Sequence, residues 1–132
     1  MLYRHVVWGG LLCIELGLLG CSSARDVEVS GKVAAPTSLA VGDKVVVDFI
    51  DVIGDGADAT QNVARTTKLQ TLGEFKETVA LEGDRVLIRA IDDRNGDGVC
   101  SAGEAWGEIQ AEVTQDKAEA ASLVLGTTPC PH

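Results

Sequence analysis

The sequence predicts an all-β domain of seven short strands arranged as a sandwich or barrel. Three observations carry that expectation. From Arg25 onward, apolar and polar residues alternate over runs of eight to ten residues. Clusters of Gly, Asp, Pro and Ser punctuate the runs, and β-branched residues fill them, most densely in "RVLIRAID".

The first run, "RDVEVSGKVA", sets Val27, Val29 and Val33 on one face and ends before Pro36, Thr37 and Ser38. "DKVVVDFIDV" follows, bounded by Gly42 and Asp43 on one side and "GDGAD" on the other. "NVARTTKLQT" puts Val63 and Leu69 on one side, and "LGEF" reads as a hairpin turn into "EFKETVAL". Gly83 and Asp84 make the next turn, into "RVLIRAID". "AWGEIQAEV" and "AEAASLVLG" complete the set. These two also carry helical signals, because Trp106, Ile109 and Val113 share a helical face and the alanine-rich run contains good helix formers. Gly103 and Gly107 flank the tryptophan, and each costs a helix about 1 kcal/mol relative to alanine, so strands are the favoured reading.

The chain begins "MLYRHVVWGGLLCIELGLLGC", with Arg4 ahead of an apolar run from Val6 to Leu19, the layout of a secretory signal. "LLGC", Leu18 to Cys21, resembles the lipobox of bacterial lipoproteins. That resemblance implies cleavage before Cys21, acyl chains on Cys21, and attachment of the domain to a membrane; an uncleaved anchor helix is the alternative. The organisation expected is a signal over residues 1–20, a lipidated tether over 21–25 and one β-domain over 26–132. Ser22 after the cysteine fits outer-membrane retention, so the expected location is the bacterial cell envelope.

A chain of 132 residues less a 20-residue signal leaves 112, enough for a single core. Because Arg4 and Glu15 leave together, the net charge stays at −9. Such a surface, with no basic cluster, repels phosphate backbones and argues against nucleic acid as a partner. With Cys13 in the signal and Cys21 lipidated, Cys100 and Cys130 remain. In an oxidising compartment they pair, closing a loop of about 31 residues for roughly 3.5 kcal/mol; two free thiols are the alternative.

The domain also resembles the transthyretin-like, or carboxypeptidase regulatory-like, exported β-sandwiches. The residues that carry the resemblance are "VSGKV" in the first strand and "LGEFKETVALEGDRVLIRAIDD", with its G-x-F turn, following G-D turn and strand, then an acidic loop. The resemblance spans roughly residues 26–126 and implies a seven-stranded antiparallel Greek-key sandwich, transthyretin-like or Ig-like, with the acidic loop between strands. It speaks to fold more than to function.

That loop is "DRNGDGVCSAGE", residues 93–104. Asp93, Asn95 and Asp97 place oxygen donors at alternate positions, Gly98 permits a sharp turn, and Val99 supplies a carbonyl. Ser101 follows, directly or through water, and Glu104 closes the loop as a bidentate carboxylate. Calcium, a hard cation taking six to eight oxygens, suits this set; magnesium wants a smaller octahedron, and transition metals favour His or thiolate. The run before the loop is β-branched, so a structural pin between strands is expected rather than an EF-hand sensor between helices. Cys100 lies at the eighth loop position, so a bridge to Cys130 would tie the tail onto the metal site. Asp51, Asp55 and Asp58 form a second acidic group that lacks a closing glutamate and reads as a solvated turn, unless Asp92 or one of these three lends an oxygen to the main site.

Catalysis has little to stand on. The only histidine after residue 21 is terminal His132, and a sandwich with Phe49, Phe75 and Trp106 as its aromatics offers little for a substrate cleft. The hydrolases of the transthyretin superfamily use histidine and arginine near a C-terminal tetrapeptide that "TTPCPH" does not resemble. The expected function is a non-catalytic, calcium-stabilised envelope module with a structural role or an envelope protein or glycan partner. A calcium sensor, or a carbohydrate-binding module that uses Trp106 as its platform, is the alternative.

Overall fold

The computed structural model describes residues 23–131 apart from Asp43, so the expected signal, the lipidation site Cys21, Ser22 and His132 lie outside the described residues. Seven strands form, as the alternation requires: β1 (Arg25–Ala34), β2 (Val45–Ile53), β3 (Thr60–Leu69), β4 (Gly73–Leu81), β5 (Arg85–Asp92), β6 (Trp106–Glu112) and β7 (Lys117–Val124). They make two sheets, one ordered β4-β1-β7 and the other β3-β2-β5-β6. A single 3₁₀ turn at Gly56–Asp58 is the one helical element among the described residues.

One core joins the sheets. Val27, Val29 and Val33 from β1 cluster with Val45, Val47 and Phe49 from β2, each at most 1% exposed. The two phenylalanines meet within it: Phe49 and Phe75 lie 5.7 Å apart, edge to face, an arrangement that adds about 0.5–1.5 kcal/mol to the area they bury. The core runs from Val27 to Leu125, so it is built wholly from the residues after the tether.

The two ambiguous runs are strands. β6 pairs with β5 over its whole length, from Arg85 opposite Glu112 to Ile91 opposite Trp106. Gly107 explains the local choice, since a Cβ there would come within 2.4 Å of the Val124 carbonyl oxygen. The glycine therefore lets β6 approach the end of β7, and tertiary packing overrides the helix propensity of the alanine-rich run.

Two expectations need correction. The strands are not all antiparallel: β1 and β7 pair in parallel, from Glu28 opposite Lys117 to Ala34 opposite Val124. They are the first and last strands, and the whole intervening chain serves as the long connection that a parallel pair requires. Val63 and Leu69 also lie on opposite faces. The β2–β3 register steps from Phe49 opposite Arg65 to Ile50 opposite Val63, leaving Ala64 as an extra residue. This bulge flips the alternation, so Leu69 packs on the core while Val63 is 61% exposed.

The register fixes two ends of the domain. Arg25 at the start of β1 pairs with Leu81 at the end of β4, so the turn at 82–84 and the start of β5 lie at the Arg25 end. β5 then runs its eight residues, roughly 25 Å, to the opposite end, where the segment 93–105 joins it to β6.

Candidate metal site

The base of the loop is closed by backbone before any side chain acts. The Asp92 N–H donates to the Ala105 carbonyl at 2.8 Å, and the Asp93 N–H donates to the Lys44 carbonyl at 2.9 Å. Asp92 itself is fully buried and accepts from the Gly42 N–H at 3.1 Å and from Arg94 Nε at 3.1 Å. It therefore clamps the segment before β2 against the loop and lends no oxygen to its interior.

Inside the loop, short-range hydrogen bonds fold the chain around its own oxygens. Asn95 Oδ1 accepts from the Asp97 N–H at 3.2 Å, and Asp97 Oδ1 accepts from the Val99 N–H at 3.0 Å. Asp97 Oδ2 accepts from Asn95 Nδ2 and from the Ser101 hydroxyl, both at 3.2 Å. The Ser101 hydroxyl also lies 3.5 Å from the Val99 carbonyl oxygen. Glu104 reaches back across the loop, accepting from the Ser101 N–H at 2.8 Å and from the Arg94 N–H at 2.6 Å. Gly98 turns the chain with φ of +76°, a conformation other residues adopt at a cost, and its N–H donates to Asp93 Oδ2 at 2.9 Å.

These bonds bring the three carboxylates together. Ligand oxygens of Asp93, Asp97 and Glu104 lie within 4.8 Å of one another. Asp93 and Glu104 are 3% and 6% exposed, while Asp97 is open to solvent. The Val99 N–H holds the Asp97 carboxyl below its ordinary value, with the Ser101 hydroxyl and the Asn95 amide adding to the effect against a smaller opposing contribution from burial. Asp93 Oδ1 is different from its neighbours. It is buried and, among the described residues, has no hydrogen-bond partner. A buried acceptor left unsatisfied costs about 1–3 kcal/mol, more when it carries charge. A divalent cation would satisfy it, and the donors around it are all oxygens, the set that a hard cation takes.

The tail is tied to the same end. Cys100 and Cys130 form a disulfide with Cα atoms 5.7 Å apart, and Cys130 Sγ sits 3.3 Å from the Ser101 carbonyl oxygen. Trp106 and Gly126 exchange backbone hydrogen bonds at 3.0 and 2.8 Å, and the indole N–H of Trp106 donates to the Thr128 carbonyl at 2.8 Å.

The second acidic group does not assemble. Asp51 is buried at the Arg25 end, where its oxygens accept from the N–H groups of Glu82 and Gly83 at 2.8 and 2.9 Å. Asp55 pairs with Arg85 at 3.4 Å, and Asp58 is exposed. Spacing within the acidic turn could not reveal the Asp51 cap. Parity could, because Asp51 continues the inward series Val45, Val47, Phe49 of β2, and a charge at an inward position needs partners.

Comparison of the chain with family models, with curated proteins and with solved structures returns no match.

Proposed function

We propose that this chain is a lipid-anchored, calcium-stabilised β-sandwich module of the bacterial cell envelope, non-catalytic, with a structural or interaction role. The observation that carries the calcium reading is Asp93 Oδ1, a buried carboxylate oxygen without a partner among the described residues, on a side chain that clusters with Asp97 and Glu104. Asp93, Asn95, Asp97, the Val99 carbonyl, Ser101 and Glu104 would hold the ion, which supplies two positive charges that offset the repulsion among the carboxylates.

The flanks favour a pin over a sensor. Ile91 and Trp106, on either side of the loop, are paired neighbours in one sheet, so no pair of helices stands ready to change angle. Trp106 is half-buried, and its indole N–H donates to the Thr128 carbonyl, which ties the ring to the tail. The interleaving of the sheets, in which β4 leaves β3 for the opposite sheet and β5 returns beside β2, supports the Greek-key, transthyretin-like reading. Lipid attachment at Cys21 rests on the "LLGC" resemblance. The strand that follows the tether enters at the end opposite the loop, which suits a domain that holds its metal end away from the membrane.

The test is thermal melting of oxidised residues 22–132 in calcium, in magnesium and after metal stripping. Calcium at 100 times its dissociation constant adds about 2.7 kcal/mol, a rise of roughly 10 °C for a domain of this size. β-type circular dichroism in both states with that rise, absent in magnesium, is the expected result. No rise refutes the calcium reading, and helicity gained on adding calcium revives the sensor.

A further inference from the structure

We infer that the hollow beside the metal loop binds a compact oxyanion, a carboxylate or a phosphate ester, and that calcium is needed to make it receptive. The calcium dependence rests on the function proposed above; the anion site stands on separate residues. The hollow, of about 520 Å³, opens where β2 begins and β3 ends, and Lys44, Val46, Lys68 and Gln70 line it together with Asp93 from the loop. Both lysines line the same hollow: Lys68 pairs directly with Val46, and Lys44 immediately precedes β2. Both lysines are exposed, while Val46 is 2% exposed and provides an apolar floor.

The charge pattern sets this hollow apart. Arg25, Arg65, Arg85, Arg89 and Arg94 each pair with a carboxylate, whereas neither Lys44 nor Lys68 makes an ion pair among the described residues. Other lysine-bearing hollows carry their own acids. The one holding Lys32 and Lys76 also holds Glu74 and Glu119, and the one holding Lys117 also holds Glu112 and Glu119. Here the single acid among the described residues is Asp93, and Asp93 is a member of the carboxylate cluster. A divalent cation in the loop offsets two of the three negative charges of that cluster, leaving two ammonium groups with three donors each to face the solvent over an apolar floor. Without the cation, three carboxylates stand beside the hollow and oppose an anion.

Linkage makes the coupling reciprocal: if calcium tightens the anion, the anion tightens calcium by the same factor, and linked sites commonly show factors of about 5–150. The probes are acetate and methyl phosphate, each titrated against chloride at constant ionic strength. The readout is the backbone amide signals of oxidised residues 22–132, in saturating calcium and after metal stripping. Saturable shifts at Lys68, Gln70 and Gly96 are expected in calcium, at least about fivefold weaker in stripped protein, and lost in Lys44→Gln and Lys68→Gln. The probe that saturates at lower concentration identifies the chemistry. Shifts no larger than those of chloride, shifts that persist in both lysine variants, or equal affinity with and without calcium would overturn the inference. A normal calcium melting step without an anion response sinks this inference alone, whereas no calcium step at all sinks the function proposed above as well.

Discussion

Asp93→Asn is expected to change the sign of its effect on stability with the metal. In the stripped protein, Asp93 keeps one buried oxygen without a partner while its charge lies within 4.8 Å of the nearly buried Glu104. At an effective dielectric of about 20, two unit charges at that separation repel by roughly 3.5 kcal/mol. Hydrogen bonds from the Gly98, Ser101 and Arg94 N–H groups offset part of this in the native loop. The net relief on removing one charge is therefore smaller, about 1–2 kcal/mol. An asparagine can keep the Gly98 bond through its oxygen and turn its amide toward the neighbouring carboxylates. The stripped variant should then melt about 4–8 °C above the stripped wild type. In saturating calcium the order reverses, because the variant forfeits most of the roughly 2.7 kcal/mol that the ion adds at 100 times its dissociation constant. Calorimetric melts of both proteins in both states measure this. A variant that melts lower than wild type without metal would show that the lone oxygen carries no penalty, and the physical case for the ion would fall with it.

Three further outcomes follow from the same geometry. Asp51→Ala leaves the N–H groups of Glu82 and Gly83 without their acceptor and should cost about 2–4 kcal/mol in urea unfolding, equally with and without calcium; a calcium-dependent cost would instead mark Asp51 as a cation ligand. Replacing Cys100 and Cys130 together by serine should remove roughly 3.5 kcal/mol and also weaken calcium, read by isothermal titration, because the tail no longer braces Ser101. Because the Asp97 pKa is depressed in the folded loop, its contribution is present above the ordinary value of 3.8 and is lost as pH falls through the lower folded value. In melts, the Asp97 contribution to the calcium response should thus stay flat from about pH 8 to pH 5 and fall away only below about pH 4.

Strand positions were legible because burial repeats with the strand period. "RDVEVSGKVA" and "RVLIRAID" match β1 and β5 residue for residue, since each sits in the interior of its sheet and carries an inward series, Val27, Val29 and Val33 in one and Val86, Ile88 and Ala90 in the other. Edges were less legible. β3 is exposed along nearly its whole length, so nothing in its alternation records the bulge at Ala64, which depends on pairing with β2. The parallel β1–β7 pair was hidden for a related reason: local turns specify hairpins, and no local signal specifies how the two ends of a chain meet. At the site, the spacing of Asp93, Asn95, Asp97 and Glu104 located the loop because the chain itself folds around those side chains within twelve residues. The roles of Asp92 and Lys44 depend on contacts across about fifty residues of chain and left no mark in the motif.

The physical difference between a pin and a switch lies in what the protein around the loop can do when the ion leaves. The ends of this loop are held by a β5–β6 ladder whose last pair, Ile91 and Trp106, abuts it, and by the Asp92 clamp to Gly42, while the disulfide ties its middle, at Cys100, to the tail. Each of these survives without metal, because none uses a ligand oxygen. Loss of a bound cation would therefore release repulsion among Asp93, Asp97 and Glu104 into a segment whose two ends cannot separate, and the available response would be local disorder on either side of the tethered Cys100. Local disorder lowers stability without presenting a new surface. A signal that needed calcium would have to be read at the loop itself or in the hollow it shares with Lys44 and Lys68, where a change of two charges is felt directly.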